Sequence, residues 1–204
     1  MLNLLKKTPH RNQLEQYLRE HLPRLSGSIL EIGSKNRRYD HLLKEKPAAI
    51  DLMENKEKEV KRGDINALEF QDGSFSNIVC LEVLEYVNTP EKAVSEMYRV
   101  LSPGGTLVLS VPYMYALHDD QLRYSELFLK ELFTGFKKVE IYAIGNAYTV
   151  ILDILYGKIK KIHFSFFRHL VTLLYAPFTL FIPKKVARGG KYISGYFIVA
   201  HKSL

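Results

Sequence analysis

Apolar residues recur along this chain at two spacings, and their alternation predicts its elements. In "RNQLEQYLREHL" leucines fall at 14, 18 and 22 with charged residues between them, the spacing of an amphipathic helix. "GSILEIG", residues 27–33, is a short apolar run closing on glycine and predicts a buried strand. "RYDHLLKEK", residues 38–46, predicts a helix that ends before Pro47. "AAIDLME" predicts a second buried strand halted by acids, and "EVKRGDI" a third, short one. A turn at Asp72 and Gly73 opens "FSNIVCLEVLEYV", whose strand core is residues 77–81.

"TPEKAVSEMYRVL" carries the clearest helix signal. Thr89 suits the N-cap, Pro90 the first helical position, and Glu91 complements the dipole there. Ala93, Val94, Met97, Val100 and Leu101 form one apolar stripe, "SPGG" stops it, and "TLVLSVP" is a strand ending at Pro112. A helix in "YSELFLKELF", capped by Ser125, precedes strands in "KKVEIYAI" and "SGYFIVAHK". Strand and helix alternate, and the strands are almost continuously apolar. That predicts an α/β fold, a doubly wound and mostly parallel sheet covered on both faces. The last two strands are predicted to pair antiparallel at its edge.

The whole chain, residues 1–204, is one domain long, and its apolar share of 47% supports a real core. A single cysteine, Cys80, excludes an internal disulfide, and no His/Cys spacing resembles a metal site. The apolar run at the N-terminus is too short for a signal peptide, so a cytoplasmic protein is expected. Charge is uneven: residues 151–204 hold nine Lys/Arg and one acid, Asp153, leaving −1 of the total +7 to residues 1–150. A basic, aromatic segment of this kind suits an anionic surface, a lipid or a phosphorylated substrate, or else a solvated face.

That basic segment coincides with an apolar insertion before the last strand, residues 146–191. Its run "IHFSFFRHLVTLLYAPFTLFIP" is split by Arg168 and His169 and broken at Pro177. The uninterrupted part, residues 170–182, is shorter than the ~20 residues that span a bilayer. Lys158, Lys160 and Lys161 flank it on one side, and Lys184, Lys185 and Arg188 on the other. The pattern fits helices that cover the site, touch a membrane as a peripheral contact, pack on the sheet or form a homodimer interface.

In a doubly wound sheet, ligands bind beyond the carboxyl ends of the strands. The loop after the first strand supplies Glu31, Gly33 and Ser34; the second strand ends at Asp51, "GDI" supplies Asp64, and the fourth ends at Leu81 and Glu82. Acids at successive strand ends point to a nucleoside site. No G-x-G-x-x-G follows the first strand, which disfavours a nicotinamide enzyme.

Residues 63–112, "GDINALEFQDGSFSNIVCLEVLEYVNTPEKAVSEMYRVLSPGGTLVLSVP", resemble class I S-adenosylmethionine-dependent methyltransferases. They are closest to the branch that includes quinone methyltransferases and small methyltransferases of glycan biosynthesis. The resemblance implies a Rossmann-like, seven-stranded sheet whose last strand is antiparallel beside the fifth. It implies that Glu31, Gly33 and Ser34 line the amino-acid and ribose part of the cofactor, that Asp51 binds the ribose hydroxyls, and that Leu52 and Met53 lie against adenine. Asp64 and Ile65 would hold the adenine edge, and Leu81 and Glu82 would face the methionine moiety. The family's second and third loop glycines are Lys35 and Arg37 here, with Asn36 available for a left-handed turn. Tyr86 stands where the family has histidine.

Within "SVPYMYALHDDQLRYSELFLKEL", His118 is the candidate catalytic base, Asp119 or Asp120 its orienter, and Arg123 a binder of an anionic acceptor. Tyr113, Tyr115 and Tyr124 would wall the site; Asp120 and Arg123 would otherwise be a loop ion pair. The expectation is methyl transfer to a small-molecule, glycan or lipid-linked acceptor, with no metal. The alternative is a pseudo-methyltransferase that scaffolds a partner through its insertion. Nucleic acid is not an expected partner, because no N/D-P-P-Y/F motif follows the fourth strand.

Overall fold

The computed structural model describes residues 7–115, 120–181 and 192–204. Helix α1 (Pro9–His21) starts at Thr8, whose hydroxyl accepts the Arg11 N–H. Leu14, Leu18 and Leu22 are fully buried, as their spacing predicts. Seven strands follow: β1 (Ile29–Ile32), β2 (Ala48–Asp51), β3 (Val60–Arg62), β4 (Phe75–Leu81), β5 (Leu101–Pro112), β6 (Lys138–Ile144) and β7 (Gly195–His201). Their spatial order is β3-β2-β1-β4-β5-β7-β6, with only β7 running antiparallel to its neighbours. β6 and β7 pair antiparallel at the sheet's edge, as the pattern predicts, and β7 enters between β5 and an outermost β6. Tyr196, Phe197, Ile198, Val199 and Ala200 are all buried, which an edge position would not allow.

Period-two alternation sorts side chains onto the two faces of the sheet. Leu30, Ile32, Ile78, Cys80, Leu107 and Leu109 pack in one core with Ala93, Val94 and Met97 of α2 (Pro90–Val100) and Leu129 of α3 (Glu126–Leu132). Ile29, Val79, Val108 and Phe197 pack instead with the α1 leucines. Each large aliphatic side chain removed from water contributes about 2 kcal/mol before entropy is charged against it.

Two local expectations fail for identifiable reasons. Residues 38–46 form only a 3-10 turn, Asp40–Leu42, because their polar groups have partners elsewhere. Glu45 accepts the Gly27 N–H at 3.1 Å, and Asp40 binds the Arg37 guanidinium at 2.6 Å. Thr89 occupies the N-cap of α2 without capping it, since its hydroxyl donates to Asn66 Oδ1 at 3.0 Å. Ser125 does cap α3, accepting the Phe128 N–H at 3.2 Å. In the insertion, α4 (Ala147–Lys160) and α5 (Ser165–Thr179) form a helix pair, with α4 packed on α1. Lys184, Lys185 and Arg188 lie outside the described residues. Among the described residues no helix is long and apolar enough to cross a membrane.

Candidate active site

Strand order reverses between β1 and β4, and the loops leaving these neighbours diverge there. A cleft of about 400 Å³ opens at this point, lined by the loop after β1, the loop after β4, Arg11 of α1 and Pro112 at the end of β5. Gly33 is what lets the two loops meet. Its φ is +74°, and a Cβ there would lie 2.1 Å from Val83 Cγ2. Its N–H and that of Ser34 donate to Ile50 O, tying the first loop to β2.

The two large residues in glycine positions do not fill this cleft with free side chains. The Arg37 side chain is largely buried, donating to Asp40 at 2.6 Å and to Pro47 O at 3.0 Å. It is Arg37, at φ +47°, and not Asn36, that adopts the left-handed backbone. Those bonds offset the ~1–2 kcal/mol that the conformation costs a side-chain-bearing residue. Lys35 turns its ammonium to Met53 Sδ at 3.3 Å, while its N–H donates to Asp51 Oδ2 at 3.1 Å.

Four carboxyl groups converge on the cleft: Glu31, Glu82, Glu85 and Asp120. Glu31 falls on the α1 face of β1, and its Oε2 is buried with no hydrogen-bond partner among the described residues. Burial pushes this carboxyl up to about 7, Asp40 adding to the rise and Ser34 and Arg37 opposing it. Glu82, just past β4 with φ +56°, accepts from Ser110 Oγ at 2.9 Å and lies 3.4 Å from His10 Nε2. Burial works to raise its pKa, but His10, Ser110 and Arg11 together hold it below the ordinary range. Glu85 is 2% exposed, and its Oε2 too lacks a partner among the described residues. Burial and the neighbouring Glu82 push it up to about 8. Asp120 and Arg123 pair with each other, and Arg123 also donates to Tyr113 O at 2.9 Å.

The structure thus brings Glu31, Gly33, Ser34, Leu81, Glu82, Asp120 and Arg123 into one cleft. Tyr115 lines it too, whereas Asp51, Leu52, Met53, Asp64 and Ile65 do not. Asp51 accepts the N–H groups of Lys35 and Met53, and Leu52 and Met53 expose most of their apolar surface. Asp64 turns back to accept the Asn66 N–H at 2.8 Å, and Ile65 is part of the core. His118 and Asp119 lie outside the described residues.

Three contributors escape sequence reasoning. His10 is fully buried, contacts Ser194 Oγ at 2.9 Å and stacks on Tyr115 with centroids 4.4 Å apart. Its backbone N–H donates to Asp153 Oδ1 at 3.2 Å, and burial pushes the Asp153 carboxyl up to about 6. Arg11 donates to Tyr39 Oη at 3.0 Å. Neither residue has a local signal, because their partners are remote in sequence. Glu85 did have one, since it stands inside the "VLEYV" segment on which the resemblance rests. Among the described residues no group of acids, histidines and cysteines is arranged to hold a metal.

Residues 40–109 match the family model described as a methyltransferase domain. Demethylmenaquinone methyltransferase of Renibacterium salmoninarum is 48% identical over 48 residues, 24% of this chain and 20% of that relative, so the match spans only a fifth of its length. Over 96% of this chain and 92% of the other, the fold is similar to an S-adenosylmethionine-dependent methyltransferase of Thermotoga maritima, with a TM-score of 0.64 and 18% identity. Phosphoethanolamine N-methyltransferase 2 of Haemonchus contortus, solved with S-adenosylmethionine, matches at a TM-score of 0.60 and 19% identity over 95% of this chain and 53% of the other.

Proposed function

We propose that this chain, a class I methyltransferase by its fold and central segment, transfers the methyl group of S-adenosylmethionine to a small-molecule, glycan or lipid-linked acceptor. The observation that carries the reading is the buried Glu31 carboxyl at the switch point, lining one cleft with Glu82. Glu82, held below the ordinary carboxylate range by His10, Ser110 and Arg11, is the ionised group in this cleft suited to a cationic part of the ligand. Asp51 fits the cofactor's other end, since each of its oxygens accepts one N–H and retains a free lone pair for a hydroxyl. Exposed Leu52 and Met53 beside it offer an apolar shelf for a base.

When bound, the cofactor supplies a sulfonium-activated methyl that a nucleophile displaces in line. The chain's task is then alignment, exclusion of water and acceptance of a proton. Glu85 titrates at about 8, so it accepts a proton only in the fraction that is ionised, and a role for it predicts a rate that rises as pH passes through 8. The Asp120–Arg123 pair holds the far wall, its charges largely engaged with one another. His118 remains the proposed base contributed by the segment between Tyr115 and Asp120. A cytoplasmic site of action accords with the single, buried Cys80.

The experiment is thermal unfolding with rising S-adenosylhomocysteine. A rise in Tm that follows ligand concentration supports the reading. No rise at millimolar ligand favours the second one, a scaffold whose loop at Lys35 and Arg37 no longer admits the cofactor.

A further inference from the structure

The helix pair α4–α5 is built inside out. Its inward side is where tyrosines meet: Tyr156 packs on Tyr175, whose hydroxyl donates to Leu152 O at 3.2 Å. Tyr148 donates to Phe178 O at 2.6 Å, tying the start of α4 to the end of α5. The outward side is apolar at helical spacing. On α5, Phe167, Leu170, Leu173, Leu174 and Phe178 are exposed, Leu173 and Leu174 at 64% each, and on α4 Ile151, Ile154 and Leu155. A stripe of that spacing normally faces a core, and a patch this large on a water-facing helix pair is a contact surface.

We propose that this outward face docks the protein onto an anionic lipid surface. Charge selects the occupant. Residues 147–181, the helix pair itself, contain four Lys/Arg (Lys158, Lys160, Lys161 and Arg168) and one acid, Asp153, which is turned to His10. Lys158, Lys160 and Lys161 stand exposed at the end of α4, Lys160 lying over the Tyr156 ring at 4.8 Å. An apolar face rimmed by lysines is complementary to acyl chains below and anionic headgroups at the boundary. A symmetric second copy would bring the same uncompensated lysines together, because a two-fold interface apposes like with like. The helices are too short to cross the bilayer, which makes this an interfacial contact.

The placement couples the contact to the cleft. β6 ends and β7 begins at the carboxyl edge of the sheet, so the insertion leaves and rejoins it where the cleft opens. Asp153 of α4 holds the His10 N–H, and the His10 ring faces Glu82. Docking would thus present the cleft beside the headgroups. The inference does not rest on methyl transfer, since lipid binding is read without turnover.

The test is co-sedimentation of the whole chain with vesicles of phosphatidylcholine alone and of phosphatidylcholine with one third phosphatidylglycerol. Binding to the mixed vesicles, at least ~10-fold weaker to the neutral ones and falling ~10-fold or more from 0.05 to 0.5 M salt, supports the proposal. Leu173→Ser with Leu174→Ser should weaken binding ~10-fold or more, and Lys160→Gln with Lys161→Gln should flatten the salt dependence. No binding at millimolar lipid, or binding insensitive to both headgroup charge and salt, would overturn it. So would a wild type that is dimeric in light scattering and becomes monomeric in the leucine double variant. The salt titration uses the wild type alone, so it decides even where a variant folds poorly.

Discussion

Replacing Glu85 by glutamine should make the protein more stable above neutral pH. The carboxyl is 2% exposed, one of its oxygens has no partner among the described residues, and Glu82 and Asp120 both oppose its ionisation. A group that titrates near 4.5 unfolded and at about 8 folded contributes stability that is fully present below 4.5. That stability is lost as pH rises through 8, to a limit of about 5 kcal/mol. Glutamine abolishes the loss but buries an amide with an unpaired group, at a cost of about 1–3 kcal/mol. At pH 5 the variant should therefore be less stable by about that cost, and at pH 8.5 more stable by about 2–3 kcal/mol. The assay is urea unfolding followed by circular dichroism at both values, where a slope of about 2 kcal/mol/M moves the midpoint by about 1 M. A variant destabilised equally at both values would refute the reasoning, because Glu85 would then be an ordinary ionised carboxylate with a partner.

Gly33→Ala should destabilise by about 3 kcal/mol, summing left-handed strain with the forced displacement of Val83, and urea unfolding measures it. Tyr124 donates to Leu84 O at 2.7 Å within the core, so Tyr124→Phe should cost about 1–2 kcal/mol and nothing in secondary structure; an unchanged midpoint would discount that bond. Arg37→Gly should relax the backbone but release Asp40 and Pro47 O, increasing hydrogen exchange in residues 34–43 while leaving α2 protected.

What the sequence made legible was whatever is repeated locally. The strands at Ile29, Ala48 and Phe75 and the α2 stripe follow from periodicity, because one buried face dictates each pattern. The acids at Glu31, Asp51 and Glu82 could be placed because a strand end fixes where a side chain can be. Tertiary partners were not legible. His10 matters through Ser194, and no spacing rule reaches across that separation. The predicted helix over 38–46 yielded to long-range hydrogen bonds at Asp40 and Glu45. The apolar run of α5 was visible as composition, but which of its faces the protein leaves bare depends on where the tyrosines of α4 and α5 meet.

The most direct test of cofactor binding is calorimetric titration of the wild type and of Asp51→Ala with S-adenosylmethionine and S-adenosylhomocysteine. Asp51 fixes Lys35 and Met53 and is the residue proposed to hold the ribose hydroxyls. The account predicts micromolar binding of both ligands, weakened ~10-fold or more in the variant. Absence of heat at millimolar ligand, or equal affinity in wild type and variant, would contradict it.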